Sequence, residues 1–227
     1  MRVILITGAN RGLGLEFTRQ YAAAGCTVIA TCRNPIQPGE LATLQGNIQV
    51  HGLDVTDARS IERLAKDLEG RAIDILINNA GVYGPKAAQW PDLDYAAWEE
   101  VLRVNALAPM RLAAAFHANL KAGIDRKLVT VTSKMGSMTD NTSGGSVIYR
   151  SSKAAVNAVM KTLAHDWAAD GIGVLLLHPG WVKTDMGGPH ALIDTATSVE
   201  GMRRVIEDFS LPQSGHFYDF TGAPVPW

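Results

Sequence analysis

Two residues whose types and spacing suit proton transfer lie in the second half of the chain, Tyr149 and Lys153. At a spacing of four on a helix, both side chains project from one face. A lysine ammonium near a phenol favours the phenolate and lowers the phenol pKa from about 10. Such a tyrosine can protonate a developing alkoxide or take a proton from an alcohol. Ser133, which follows a predicted strand, could hold the substrate oxygen.

A glycine-rich turn near the start of the chain could hold a phosphate. Gly8, Gly12 and Gly14 lie between a short apolar strand and an amphipathic helix. Glycine permits a tight turn and a close approach to an anion, and the free N–H groups at a helix start attract negative charge. A purely structural turn is the alternative, but this strand–turn–helix context favours a dinucleotide site.

The second predicted strand indicates which dinucleotide the turn would hold. It ends in Cys32-Arg33 without an acidic residue. An Asp or Glu there would bind a free ribose 2′-hydroxyl, whereas an Arg accommodates a 2′-phosphate. Arg11, inside the glycine-rich turn, is predicted to face the same volume, and two guanidinium groups can bind one phosphate. The sequence therefore favours NADP(H) over NAD(H), with two solvated surface arginines as the alternative.

Strands and helices alternate along the chain and would position these residues. Strands are predicted at residues 3–6, 27–31, 48–53, 73–77, 128–132, 172–177 and 217–220. Helices are predicted from about residue 12, after a cap at Thr56, and over 95–108, 109–122, 147–169 and 198–209. This order predicts an α/β, Rossmann-type, doubly wound parallel sheet of about seven strands with helices on both faces, as one domain over residues 1–227. Ligands in such sheets bind beyond the carboxyl ends of the strands.

Taken together, these motifs resemble those of the short-chain dehydrogenase/reductase family of the Tyr-x-x-x-Lys type, over the whole chain. The resemblance rests on Thr7–Gly14, on Asn78-Asn79-Ala80-Gly81, and on the set Asn105, Ser133, Tyr149 and Lys153. Residues 140–145, 179–188 and 215–219 resemble the bacterial C-factor-like branch, close to the carbonyl reductases. Ser133 and Tyr149 are further apart than in common members, and we expect the extra residues to reshape substrate access rather than the reactive residues.

The resemblance implies hydride transfer between a nicotinamide and a ketone, an aldehyde or a secondary alcohol. Tyr149 would be the acid or base, Lys153 would bind the nicotinamide ribose and lower the tyrosine pKa, Ser133 would orient the substrate oxygen, and Asn105 would hold a relay water. Asp54 and Val55 would flank the adenine, and Thr184 would reach the carboxamide. The residues expected to contact the cofactor are Gly8, Asn10, Arg11, Gly12, Leu13, Gly14, Arg33, Asp54, Val55, Asn79, Ala80, Gly81, Tyr149, Lys153, Pro179, Gly180, Val182 and Thr184.

Composition limits the other classes of function. The 227 residues carry a net charge of −1, which gives no basic surface for nucleic acid, and no apolar run is long enough to cross a membrane. We therefore expect a cytoplasmic protein with a small-molecule partner, and the resemblance implies a homodimer or homotetramer. Cys26 and Cys32 would lie about 20 Å apart on one strand, too far for a disulfide, and no metal-ligand spacing is present.

Several alternatives stay open at this point. An NAD-linked alcohol dehydrogenase and a nucleotide-binding signalling protein of the C-factor type both remain compatible with the motifs. Five side chains could line a substrate pocket or merely pack: Tyr83, Met135, Trp181, Met186 and His190. The segment from residue 186 to 198 is short for a lid, so we expect an open site.

Overall fold

The computed structural model describes residues 1–86 and 90–227, and its centre is one parallel sheet. The strands are β1 (Val3–Ile6), β2 (Thr27–Cys32), β3 (Ile48–Gly52), β4 (Ile75–Asn78), β5 (Lys127–Val131), β6 (Gly173–His178) and β7 (His216–Asp219). Their order across the sheet is β3-β2-β1-β4-β5-β6-β7, and every neighbouring pair is parallel. The chain reverses direction across the sheet between β1 and β4, which opens a crevice at their carboxyl ends.

Helices cover both faces of the sheet, as the alternation of elements predicted. They are α1 (Gly12–Ala23), α2 (Ala58–Asp67), α3 (Tyr95–Leu102), α4 (Ala108–Ala115), α5 (His117–Ala122), α6 (Val147–Asp166) and α7 (Thr195–Asp208). Residues from α2, α4, α5 and α6 share one buried apolar cluster, and residues from α1 and α7 share another. The fold class is therefore confirmed as a doubly wound α/β sheet.

The two clusters are separated by the strands themselves. Leu5 points into the cluster under α6, whereas Ile4 and Ile6 point into the cluster under α1. Successive strand side chains face opposite sides of a sheet, so a strand covered on both faces needs an unbroken apolar run. The central strands are therefore continuous apolar segments in the sequence. Cys26 and Cys32 are both buried and unpaired.

Three helix predictions needed correction. The predicted helices 95–108 and 109–122 are interrupted by a π-helical turn at Arg103–Leu107 and again at Phe116. Pro109 has no N–H to continue the α-helical hydrogen bonding, and the wider turn lies just before it. The long helix α6 ends at Asp166, and a 3₁₀ turn at Ala168–Asp170 takes up the rest of the predicted length.

The cap of α2 also differs from the prediction by one residue. Thr56 donates its hydroxyl proton to Asp54 Oδ1 over 2.7 Å, so it is not the cap. Asp57 takes that place, and its side chain accepts a hydrogen bond from the Arg59 N–H. An aspartate two residues before Thr56 thus redirects the hydroxyl that would otherwise have capped the helix. The last helix, predicted to start at residue 198, starts at Thr195 instead, with Asp194 as its cap.

Candidate active site

The glycine-rich turn forms a tightly packed cradle between β1 and α1. Gly8 and Gly12 have φ angles of 65° and 54°, which side-chain-bearing residues rarely adopt. A Cβ on Gly14 would lie well inside van der Waals contact with the Gly8 carbonyl oxygen and 2.6 Å from Asn79 Nδ2. Arg11 is the N-cap residue of α1, and its side chain forms no hydrogen bond with the first turn of that helix. The backbone N–H groups of its first turn are therefore available to an anion.

The turn after β4 is locked onto the end of β1. The backbone N–H groups of Asn79 and Ala80 both donate to Thr7 Oγ1 over 3.0 Å, and Asn79 Nδ2 donates to the Thr7 carbonyl oxygen over 2.9 Å. The Asn79 side chain is thus turned toward the first strand. It thereby supports the cradle from beneath.

The two arginines predicted to share one phosphate have different surroundings in the structure. Arg33 is exposed at the end of β2. Hydrogen bonds from Thr56 lower the pKa of Asp54, and the nearby charge of Arg33 lowers it further. Arg11 instead donates to Asp185 Oδ2 over 2.8 Å, in the loop that follows β6. An acidic residue in the loop after β6 therefore pairs with Arg11, and a phosphate site shared by both cations stays a prediction.

The remaining cofactor residues predicted from sequence gather around the same crevice. Leu13 and Val55 pack partly buried against the two apolar clusters, and Asn10 is exposed beside the cradle. Thr184 lies against Gly12, with Cγ2 3.5 Å from the position of a Cβ there. Its hydroxyl accepts from the Gly187 N–H over 3.1 Å and lies 3.4 Å from the Val182 carbonyl oxygen. Pro179, Gly180 and Val182 begin the loop after β6 that carries it.

The four predicted reactive residues are all buried at this edge of the sheet. Asn105, Ser133, Tyr149 and Lys153 have exposed fractions between 1 and 8 %. Lys153 Nζ lies 5.8 Å from the centre of the Tyr149 ring and donates to the Val131 carbonyl oxygen over 3.0 Å. Gly81 leaves open the space between Asn105 Oδ1 and Lys153 Nζ, which a Cβ would reach within 3.3 and 3.7 Å.

The pKa of Tyr149 moves opposite to the direction expected from its spacing with Lys153. Burial raises the pKa of Tyr149 to about 12, and a hydrogen bond with the Ser133 hydroxyl offsets only part of this. Burial also lowers the pKa of Lys153 to about 8, and its ammonium is directed at the Val131 carbonyl. Tyr149 therefore keeps its proton at neutral pH, as a proton donor to a developing alkoxide must.

Asn105 is held by hydrogen bonds from its side-chain amide, and its expected contact with a relay water stays a prediction. It lies in the π-helical turn, where its Oδ1 accepts from the Val82 N–H over 2.9 Å and its Nδ2 donates to the Val82 carbonyl oxygen over 2.8 Å. The same Nδ2 donates to Ser152 Oγ over 2.9 Å. With its amide engaged in this way, the side chain fixes the backbone that follows Gly81.

Ser133 is held at a fixed place relative to Lys153 by direct backbone packing. Ser133 begins a 3₁₀ turn, Lys134–Gly136, and its Oγ accepts from the Met135 N–H over 3.1 Å. At Gly136 this turn touches α6, because a Cβ would lie 2.8 Å from the Lys153 carbonyl carbon and 3.0 Å from the Ala154 nitrogen. Glycine is therefore required for the two chain segments to meet.

Two side chains that could line a pocket or merely pack, Tyr83 and Met186, lie directly against Tyr149. The ring of Tyr83 stacks on the ring of Tyr149, and Met186 Sδ lies 3.9 Å from Tyr149 Oη. Val182 and Ile193 pair and close the short segment that carries Met186, which lies against the phenol. The position of Tyr83 two residues after Gly81 was the available signal, but its orientation depends on the Asn105 clamp.

The buried charge of Lys153 predicts a pH dependence of stability. Its pKa is about 8 in the folded chain and about 10.4 when unfolded, so the native state binds fewer protons between these values. Stability contributed by this group is then lowest below pH 8 and rises as the pH increases toward 10. Between pH 7 and pH 9, the wild-type free energy of unfolding should rise by about 1 kcal/mol relative to Lys153→Met.

Urea unfolding of both chains at the two pH values measures this difference, with the variant controlling for all other titrating groups. Equal changes in wild type and variant would show that Lys153 titrates near its ordinary value.

Comparison with known proteins identifies the family. A family model described as short chain dehydrogenase matches residues 2–191. The chain belongs to the short-chain dehydrogenase family. Within the described ranges 1–86 and 90–227, none of this family member's helices has the length and apolar character that crossing a membrane requires. The same ranges contain no cluster of three or more His, Cys, Asp or Glu residues that could hold a metal ion.

Three relatives illustrate where this short-chain dehydrogenase lies within the family. The C-signal of Myxococcus xanthus is 46 % identical over 155 residues, covering 68 % of this chain and 93 % of that protein. The carbonyl reductase Sniffer of D. melanogaster is 34 % identical, with a TM-score of 0.94 and both chains fully covered. An NADPH-bound carbonyl reductase from chicken fatty liver is 33 % identical, with a TM-score of 0.90 and both chains fully covered.

Proposed function

We propose that the chain is an NADP(H)-dependent oxidoreductase that reduces a ketone or an aldehyde to the alcohol, and that catalyses the reverse oxidation. The observation that carries the proposal is the burial of Ser133, Tyr149 and Lys153 together beside the glycine cradle. A phenol that keeps its proton at neutral pH favours the direction of reduction.

The residues present fit a dinucleotide with a 2′-phosphate. The backbone at Gly8, Gly12 and Gly14 leaves space that a Cβ would fill, and the uncapped start of α1 faces it. Arg33 is an exposed cation at the end of β2, where an acidic residue would repel a phosphate. The NADPH found in the chicken carbonyl reductase supports the same choice for this chain. Once bound, the nucleotide supplies the hydride.

The chain's own residues supply the proton and the orientation. The Ser133 hydroxyl donates a hydrogen bond to the carbonyl oxygen, and Tyr149 Oη transfers its proton to that oxygen as negative charge develops. Lys153 Nζ beneath the phenol ring stabilises the phenolate that remains, and it would also bind the nicotinamide ribose. Burial of all three groups excludes water and strengthens these interactions.

Oxidation of NADPH by the purified protein tests the proposal. A panel of aldehydes, ketones, quinones and imines is offered to wild type and to Tyr149→Phe at equal concentrations. Turnover in wild type that is lost in the variant is the expected result. NADPH binding without turnover of any carbonyl compound would contradict the reductase assignment.

That second outcome would favour a signalling protein that binds the nucleotide, a candidate motivated by the 46 % identity to C-signal. The burial of Tyr149 with Lys153 argues against this candidate, since binding alone does not require the pair. A biological effect that survives in Tyr149→Phe would support signalling.

Arg33 carries the choice between the two dinucleotides. Arg33→Ala should raise the Kd for NADPH by about 10- to 100-fold, which corresponds to one lost charge-assisted interaction of about 1.5–3 kcal/mol. The Kd for NADH should stay within twofold. Fluorescence titration measures the ratio of the Kd values for NADPH and NADH. The matched control is Arg204→Ala, which removes an exposed arginine of α7. An NADH affinity above that for NADPH in wild type would instead establish the NAD-linked alternative.

The proposal extends to the organisation of the protein. Because all seven strands join one sheet, we treat residues 1–227 as a single nucleotide-binding domain. Leu107, Met110 and Val147 are exposed apolar residues near α4 and α6, which supports a homodimer or homotetramer. Light scattering on the purified protein measures the assembly. We place the enzyme in the cytoplasm, with a small carbonyl or alcohol compound as its partner.

A further inference from the structure

The ring of Tyr83 lies nearly parallel to the ring of Tyr149. Their centres are 4.5 Å apart and their planes differ by 21°. This is the shortest separation at which aromatic side chains normally pair, and such pairs favour a defined relative orientation. A phenol that must donate its proton along one direction gains from a neighbour that limits its rotation.

The backbone that carries Tyr83 is itself fixed. Val82, the preceding residue, is held through both its N–H and its carbonyl oxygen by the side chain of Asn105. Asn105 is buried in the π-helical turn, so the clamp is part of the core rather than of a mobile loop. Tyr83 therefore follows directly on a backbone segment that the core holds in place.

The hydroxyl of Tyr83 reaches the start of α6. Its oxygen lies 2.8 Å from Ser146 Oγ, within hydrogen-bond distance. Ser146 is the N-cap residue of α6, with φ of 48° and ψ of 40°, a conformation that costs free energy for a residue with a Cβ. Its side chain makes no capping bond to the helix and is turned to Tyr83 instead. Tyr83 thus holds the helix three residues before Tyr149.

A second group closes over the same ring. Lys86 Nζ lies 5.9 Å from the centre of the Tyr83 ring and donates to the Met186 carbonyl oxygen over 3.3 Å. Met186 in turn places its Sδ 3.9 Å from Tyr149 Oη. The loop after β6 therefore meets the stacked pair, and the Tyr149 hydroxyl donates a hydrogen bond to the Met186 sulfur.

We propose that Tyr83 is a positioning residue for the reaction, which holds the Tyr149 ring in the orientation that proton transfer requires. The proposal rests on the proposed function. The stacked ring performs the positioning, and the hydrogen bond to Ser146 anchors the ring at its outer end. Tyr83 contacts Tyr149 rather than the reacting atoms, so its effect on turnover passes through the phenol.

Two substitutions separate the ring from its hydroxyl. Tyr83→Leu removes the stack and should lower kcat about five- to tenfold, the size expected from one aromatic pair, while the Kd for NADPH stays within twofold. Tyr83→Phe keeps the stack and should restore kcat to within twofold of wild type. Tyr95→Leu, which removes an exposed ring stacked on Trp98 at 6.0 Å, is the matched control and should leave kcat unchanged.

Three results would overturn the proposal. These are a kcat in Tyr83→Leu within twofold of wild type, a change confined to the KM for the carbonyl substrate, and an equal loss of kcat in Tyr83→Phe. The last would assign the effect to the hydroxyl rather than to the ring.

A measurement that does not depend on turnover separates this proposal from the proposed function. Tyr83→Leu, Tyr149→Leu and the double variant form a cycle in the urea unfolding constant. Contacting rings should show coupling of about threefold or more. Coupling without turnover of any carbonyl compound would support the stack and overturn only the proposed reduction. Additive effects together with turnover that requires Tyr149 would overturn only the role of Tyr83.

Discussion

Replacement of Tyr149 by phenylalanine should lower kcat by about 10³-fold. The substitution removes only the hydroxyl that we propose donates the proton, and general acid catalysis by a positioned side chain contributes about 10²–10⁴ to a rate. The ring, its stack on Tyr83 and the packing of α6 remain, so the fold should be unchanged. The Kd for NADPH should stay within about threefold, because the cradle lies on a different element.

Single-turnover oxidation of NADPH with the best substrate of the panel measures this effect without interference from product release. Tyr21→Phe is the matched control, since Tyr21 is a fully buried tyrosine of α1 away from Lys153. That variant should turn over like wild type. If Tyr149→Phe retained a tenth of the wild-type rate, another group would have to donate the proton.

Gly14→Ala should remove cofactor binding and destabilise the fold. The new Cβ would be closer to the Gly8 carbonyl oxygen than van der Waals contact allows, and it would lie 2.6 Å from Asn79 Nδ2. One of these neighbours is backbone and the other is hydrogen-bonded to Thr7, so neither can move without opening the turn. We expect a loss of about 2–3 kcal/mol in the free energy of unfolding, the upper range for overpacking, and at least a 100-fold rise in the Kd for NADPH.

Gly25→Ala provides the comparison within the same chain. Gly25 has a φ of 79°, and a Cβ there would meet none of the described atoms within 4 Å. Its cost should be the strain of a left-handed residue alone, about 1–2 kcal/mol, with NADPH binding intact. Urea unfolding and nucleotide titration of both variants test the distinction. Normal NADPH affinity in Gly14→Ala would show that the cradle tolerates a methyl group.

The architecture could be predicted because local sequence patterns determine most of it. The apolar run at residues 3–6 predicts a strand covered on both faces. Leu13, Phe17 and Tyr21, which are spaced four residues apart, predict the helix that packs on it. The alternation of such segments indicates a parallel sheet. Boundaries were missed where a distant or side-chain contact decides them, as at Asp57 and Asp194.

The candidate site was predictable in its residue types but not in its electrostatics. The spacing of Tyr149 and Lys153 correctly places both on one buried face of α6. It could not show that desolvation would raise the phenol pKa. Nor could it show that Asp185 would pair with Arg11, since the two are 174 residues apart in sequence.

The contact between Gly136 and α6 makes the relative positions of Ser133 and Lys153 independent of the loop between them. Because the turn after Ser133 meets Lys153 directly, the distance between these two residues does not depend on the path the chain takes from residue 137 to 146. Gly144 and Gly145, both exposed and with φ of 66° and 71°, lie in that path. We expect variation in loop length there to change which molecules enter while the positions of Ser133 and Lys153 are kept. The segment is accordingly a suitable place to engineer or evolve substrate selectivity without rebuilding the catalyst.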